Sequence, residues 1–76
     1  MGIMADTFDY EIVEHLATLS ESESGYTMEL NKISYRGGYP KFDLRKWDRR
    51  QDKMLKGVTL TDEEATILKE ALIKAI

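Results

Sequence analysis

Nine of the eleven Lys and Arg residues fall between Lys32 and Lys56, where they face only three acids, Asp43, Asp48 and Asp52. That stretch carries a formal +6 and the remainder −9, inside a chain of net charge −3 and pI near 5.1. Asymmetry of this kind points to a polyanionic partner. Aromatic residues are interleaved with the charge: Tyr35, Tyr39, Phe42 and Trp47. Cations that hold phosphates beside flat rings that stack on bases form a surface for single-stranded nucleic acid, because each stacked base contributes roughly 1–3 kcal/mol whatever its identity. The expected contacts are Lys32, Tyr35, Arg36, Tyr39, Lys41, Arg45, Trp47, Lys53 and Lys56. A charged run is also commonly a solvated face, and a Trp commonly packs under a loop or in a subunit contact.

Other chemistry has less to stand on. The one histidine, His15, has no partner that the sequence places beside it for acid–base work, and with no cysteine it cannot assemble a zinc site. The acids Asp62, Glu63 and Glu64 are accounted for by helix capping and need no metal. No catalytic residue, metal, cofactor or small-molecule substrate is therefore expected. No apolar run approaches the ~20 residues of a membrane span, and the lack of cysteine agrees with a reducing compartment, so a cytoplasmic location is expected.

The elements that must position these side chains follow from local pattern. Residues 1–9 show no periodicity and are expected to be disordered, which leaves residues 10–76 as a single domain. Tyr10 to Leu19 reads as a strand, although its apolar residues fit neither a clean two-residue nor a clean helical period, and Ile12, Leu16 with Val13, Ala17 could also make a helical stripe. Ser20 to Gly25 is a polar, Gly-terminated connection. Tyr26 to Tyr35 is the second strand, and its apolar residues change parity midway. A bulge near Asn31 and Lys32 would return them to one face; without it, the two halves bury opposite faces. After the turn Arg36-Gly37-Gly38, Lys41 to Trp47 alternates cleanly, with Phe42 and Leu44 inward and Lys41, Asp43, Arg45 and Trp47 outward. Asp48 to Lys56 reads as a charged loop and Gly57 to Leu60 as a short strand. Thr61-Asp62-Glu63-Glu64 is a capping box, and the helix it starts runs to the last residue with Ala65, Leu68, Leu72, Ala75 and Ile76 as its apolar stripe. Ile73 lies beside that stripe. A chain of 76 residues without a disulfide or metal has a small core, so a homodimer is expected.

The run Phe42-Asp43-Leu44-Arg45, the basic segment after it, then Lys56-Gly57-Val58-Thr59-Leu60-Thr61 and the helical Leu68-Lys69-Glu70 resemble the transcriptional coactivator positive cofactor four, above all its short bacterial relatives. The resemblance covers roughly Tyr10 to Ile76. It implies an α+β fold in which a curved four-stranded antiparallel sheet is followed by one C-terminal helix, assembled as a dimer that binds single-stranded DNA with little sequence preference. Carried over by position, Arg45 and Lys56 would meet phosphates and Lys53 would fall near a third phosphate contact. Trp47 stands where the family has a pair of rings, and Asp48 replaces the second of them. The acidic, Ser-rich regulatory tail of the eukaryotic members has no counterpart here.

A protein-interaction module that docks acidic partners is the alternative, since Arg, Trp and Tyr also anchor protein interfaces. An open barrel of the oligonucleotide-binding type would share the surface but needs five strands. RNA is not separated from DNA by any residue assignable to a 2′-hydroxyl. On the nucleic-acid reading, Leu44→Ala is expected to cost about 2–5 kcal/mol of stability and Arg45→Ala to weaken binding without unfolding the chain.

Overall fold

The computed structural model describes residues 9–76. Four strands, β1 (Tyr10–Glu21), β2 (Tyr26–Tyr35), β3 (Lys41–Asp48) and β4 (Lys53–Leu60), form one antiparallel sheet in sequence order, and α1 (Asp62–Ala75) follows. The fold is ββββα. The disorder expected for the N-terminal residues falls outside the described residues except at Asp9, which is held in the fold: its carbonyl accepts the Arg36 N–H at 2.9 Å.

Three strand boundaries and one register differ from the sequence expectation, and α1 stops one residue short of the end at Ala75. β1 continues to Glu21 and β3 to Asp48, while β4 begins at Lys53 and not at Gly57. The segment expected to be a charged loop is therefore half strand. An edge strand needs no apolar period, and charged edges such as Lys53 and Lys56 discourage pairing with other chains. β2 carries no bulge against β3, because its pairing runs unshifted from Tyr26↔Asp48 to Ile33↔Lys41. The parity change is real: Met28, Leu30 and Lys32 share one face, and Thr27, Glu29, Asn31, Ile33 and Tyr35 share the other. The irregularities lie in β1, where the register shifts between Ile12/Glu14, His15/Ala17 and Thr18/Ser20. Val13, Leu16 and Leu19 are the residues skipped, and each is exposed. One extra residue at every third position explains why β1 fits neither a strand nor a helix period.

The two faces of the sheet are filled in different ways. α1 leans on the face of Leu30, Phe42 and Leu60 and buries none of its own residues completely, so an apolar groove of about 650 Å³ stays open between helix and sheet. On the opposite face Ile33 and Trp47 are fully buried, together with the polar Asn31 and Asp43. Long side chains of the same face cover them. Tyr10 leans toward Trp47 with ring centroids 6.0 Å apart and toward Tyr35 at 6.4 Å. This reverses the expected sidedness of β3: Phe42 and Leu44 are half-buried, and the face expected to be wet holds the core.

Two turns fix where the strands meet. Arg36 (φ 54°) and Gly37 (φ 73°) both take left-handed backbone between Tyr35 and Gly38, and the Gly38 N–H closes the turn on the Tyr35 carbonyl at 2.9 Å. Two successive positive φ values match the right-handed twist of a hairpin, and glycine makes the second cheap. At the other end, the Arg49 N–H donates to the Gly25 carbonyl at 2.9 Å, so the β1–β2 and β3–β4 turns are joined.

Candidate nucleic-acid interface

Asp43 and Arg45 are two apart on β3 and so project from the same face. Arg45 Nε and Nη2 donate to the two Asp43 oxygens at 2.8 Å each, while Nη1 donates to the Leu55 carbonyl at 2.7 Å. The Tyr35 hydroxyl donates to Asp43 at 2.8 Å and accepts from Arg45 Nη2 at 3.3 Å, and Thr59 Oγ1 adds a bond to Asp43 at 3.3 Å. Three strands are thereby stitched through one buried carboxylate. The Asp43 hydrogen bonds hold Arg45 above its ordinary pKa, and burial pushes the Tyr35 hydroxyl up. Gly57 permits this arrangement, because a Cβ there would overlap Arg45 and the Leu44 carbonyl where β4 crosses it.

A second buried carboxylate lies on β2. Glu29 is buried and accepts from Arg49 Nε at 2.9 Å, Arg49 Nη2 at 2.7 Å, Thr27 Oγ1 at 2.6 Å and Asn31 Nδ2 at 3.3 Å. The Arg49 guanidinium is the largest cause that lowers its pKa from 4.5 to about 2. His15 Nδ1 is 2.6 Å from Asn31 Oδ1 and 3.7 Å from Glu29 Oε1. Arg49 also lies over the Trp47 ring, 4.4 Å from its centroid.

The expected contact residues divide into those that are brought together and those that are not. Tyr35, Tyr39, Lys41 and Arg45 line a cavity of about 530 Å³ with Gly38 and Thr59. Arg45 and Lys53 line a second cavity of about 410 Å³ with Tyr10, Asp52, Met54 and Leu55. Arg45 is common to both, so the cavities adjoin along the Trp47 face. Lys32 is on the other face, its Nζ 5.1 Å from the centre of the Phe42 ring and at the wall of the apolar groove. Arg36 is in the β2–β3 turn and Lys56 is exposed on β4; neither lines a cavity of the Trp47 face.

Two expected roles need correction. Trp47 is not a ring on a wet surface: it is 0% exposed, and its Nε1 is buried without a hydrogen-bond partner among the described residues. Arg49 lies over the ring and Tyr10 beside it, contacts that a two-residue period cannot reveal. Arg45 is not an outstretched cation either. Its side chain is 13% exposed and its donors are taken by Asp43, Tyr35 and Leu55. The exposed side chains lining the two cavities include Tyr39, at 79%, with Lys41, Lys53, Asp52 and Thr59.

Tyr10, Glu29, Thr59 and Arg49 were not singled out in the sequence. The Asp43-x-Arg45 spacing was a legible sign of an ion pair on one strand face. Glu29 and Arg49 are twenty residues apart, and only the closed sheet brings them together. No group of three or more His, Asp or Glu side chains able to hold a metal ion occurs among the described residues, and none of their helices is long and apolar enough to cross a membrane.

Fold and site together define a small ββββα module with a cation-edged, hydrogen-bonded polar sheet face. No family model matches the chain. It is 42% identical over 71 residues to an uncharacterized protein of Treponema pallidum (strain Nichols), a match covering 93% of this chain and 84% of that protein. The chain belongs to the same family as that protein.

Proposed function

We propose that this protein binds single-stranded nucleic acid, DNA or RNA, along the Trp47 face of its sheet, as a homodimer of the positive-cofactor-four type that acts in the cytoplasm without catalysing a reaction. The observation that carries the reading is the pair of adjoining cavities that meet at Arg45, with the exposed Tyr39 ring and Lys41 at one end and Lys53 at the other. A flexible strand can follow such a track, its phosphates beside Lys41 and Lys53 and a base on Tyr39. Duplex DNA keeps its bases stacked inside and can use the lysines but not the ring. Arg45 serves this site by fixing β3 to β4 and shaping the wall between the cavities. The sequence likeness in Asp43-Leu44-Arg45 and Lys56-Gly57 supports the same reading.

The dimer rests on α1. Ile67, Leu72 and Ile73 are 63%, 48% and 70% exposed, and Ile73 faces the open groove with Leu68 and Leu72. Apolar area of this extent on one helix suits a second copy. That groove also favours a second reading, a docking module for an acidic protein segment, because Lys32 and Lys69 stand at its wall. Fluorescence anisotropy of labelled single-stranded and duplex oligonucleotides of equal length, at two salt concentrations, tests the first reading. A preference for single strands supports it, and an equal or stronger affinity for duplex removes it.

A further inference from the structure

Resting on the nucleic-acid reading above, we propose that Trp47 is a base-stacking ring kept under Arg49, and that Arg49 uncovers it by exchanging Glu29 for a backbone phosphate of the bound strand. The cover is a surface group. The Arg49 side chain is one-third exposed, at 33%, and it opens the turn that leads from β3 to β4. Its forked donors meet the two Glu29 oxygens at 2.9 and 2.7 Å, and Nη1 meets the exposed Asp52 at 3.1 Å. A guanidinium that grips a carboxylate in this way grips a phosphate with the same fork, so the exchange replaces one anion by another of matching geometry.

Glu29 is equipped for the loss. With Arg49 gone it still accepts from Thr27 and Asn31, and His15 Nδ1 stands 3.7 Å from its Oε1. Asp43 differs: it is fully buried, and Arg45, which grips it, also bonds Leu55 and Tyr35. Of the two arginine–carboxylate pairs on this face, one is locked and one is releasable. Trp47 gains from release as well. Its Nε1 is a buried donor without a partner among the described residues, a costly state that water would relieve once the ring is uncovered. The ring already has a second wall in Tyr10 at 6.0 Å, so uncovering the Arg49 side leaves a slot for one flat group.

The chain has a single tryptophan, so its emission reports this ring alone. The test uses the whole protein with three probes: an oligothymidylate, an abasic phosphodeoxyribose strand of equal length, and no strand. Binding is read by anisotropy of a label on the strand, and Trp47 by its emission and its quenching by acrylamide. The abasic strand should draw Arg49 away and raise acrylamide quenching several-fold. The thymidylate strand should quench the emission itself and protect the ring from acrylamide. Glu29→Gln, checked for fold by circular dichroism, weakens the grip on Arg49 and should raise acrylamide access in the strand-free protein several-fold. If the thymidylate strand binds while Trp47 emission and acrylamide access stay at their strand-free values, or if folded Glu29→Gln leaves access unchanged, the ring is only core and the proposal falls. If neither strand raises the anisotropy, the nucleic-acid reading falls first and takes this inference with it.

Discussion

Arg45 and Glu29 are where single side chains have the largest consequences. Removing Arg45 leaves the fully buried Asp43 short of its main partner, which typically costs about 3–5 kcal/mol. Leu44 is only half-buried, so Leu44→Ala should cost about 2 kcal/mol or less, the low end of core truncations. Urea unfolding of the two variants should therefore rank Arg45→Ala as the more damaging, the reverse of what alternation along β3 suggests. Alternation places Asp43 and Arg45 on one face correctly, but it takes charge as a sign of solvent, and here the charges satisfy each other under tyrosines. Glu29 gives a pH signature. Its carboxyl lies at about 2 in the fold against an ordinary 4.5, so the folded state prefers the ionised form. That stabilisation, on the order of 3 kcal/mol, is complete above about pH 4.5 and is lost as pH falls toward 2. Glu29→Gln should lower stability at neutral pH and flatten its dependence in that window, as followed by thermal unfolding across an acid series. Nothing near Glu29 in sequence announces this, because its partner Arg49 arrives from the far end of the next strand.

At the scale of elements, what was legible was what is local. The capping box is present as both of its bonds, Glu64 N–H to Thr61 Oγ1 at 3.0 Å and Thr61 N–H to Glu64 Oε1 at 2.9 Å. α1 buries no residue fully, so the cap is a larger share of its stability than usual. Thr61→Ala should cost about 1 kcal/mol and lower the helical circular dichroism signal. Turn chemistry at Arg36-Gly37-Gly38 and the alternation of β3 were legible for the same reason. β1 was legible as a strand but its period and its end were not, because three register shifts break the alternation, and the start of β4 was not, because its ladder is paired through backbone groups that any side chain supplies. Gly57 reads in the sequence as an ordinary strand glycine. In the fold it is the point where β4 crosses Arg45, and Gly57→Ala should cost about 1–3 kcal/mol by forcing the two strands apart.

For the molecule as a whole, the nine cations of the central stretch overstate the charge on offer, since Arg45, Arg49 and Arg50 are paired with Asp43, Glu29 and Asp48. The arginines hold the polar face together, and Lys41 and Lys53 beside it are exposed and outside those pairs. The same accounting explains why the candidate site was only partly legible: residue type locates the cations, and only the fold distinguishes those already taken. Association through α1 should appear as a dimer in sedimentation at micromolar concentration, and a species of 8.8 kDa alone would exclude it. The claim that most needs testing is that a single strand follows the cavities past Arg45. The direct measurement is the salt dependence of oligonucleotide binding by the parent chain and by Lys41→Ala, with single-stranded and duplex probes of equal length. Single strands should bind more tightly, and loss of Lys41 should flatten the slope of log K against log salt by about 0.7, the value for one phosphate of a single strand. Equal affinity for duplex, or a slope untouched by Lys41→Ala, would contradict the account.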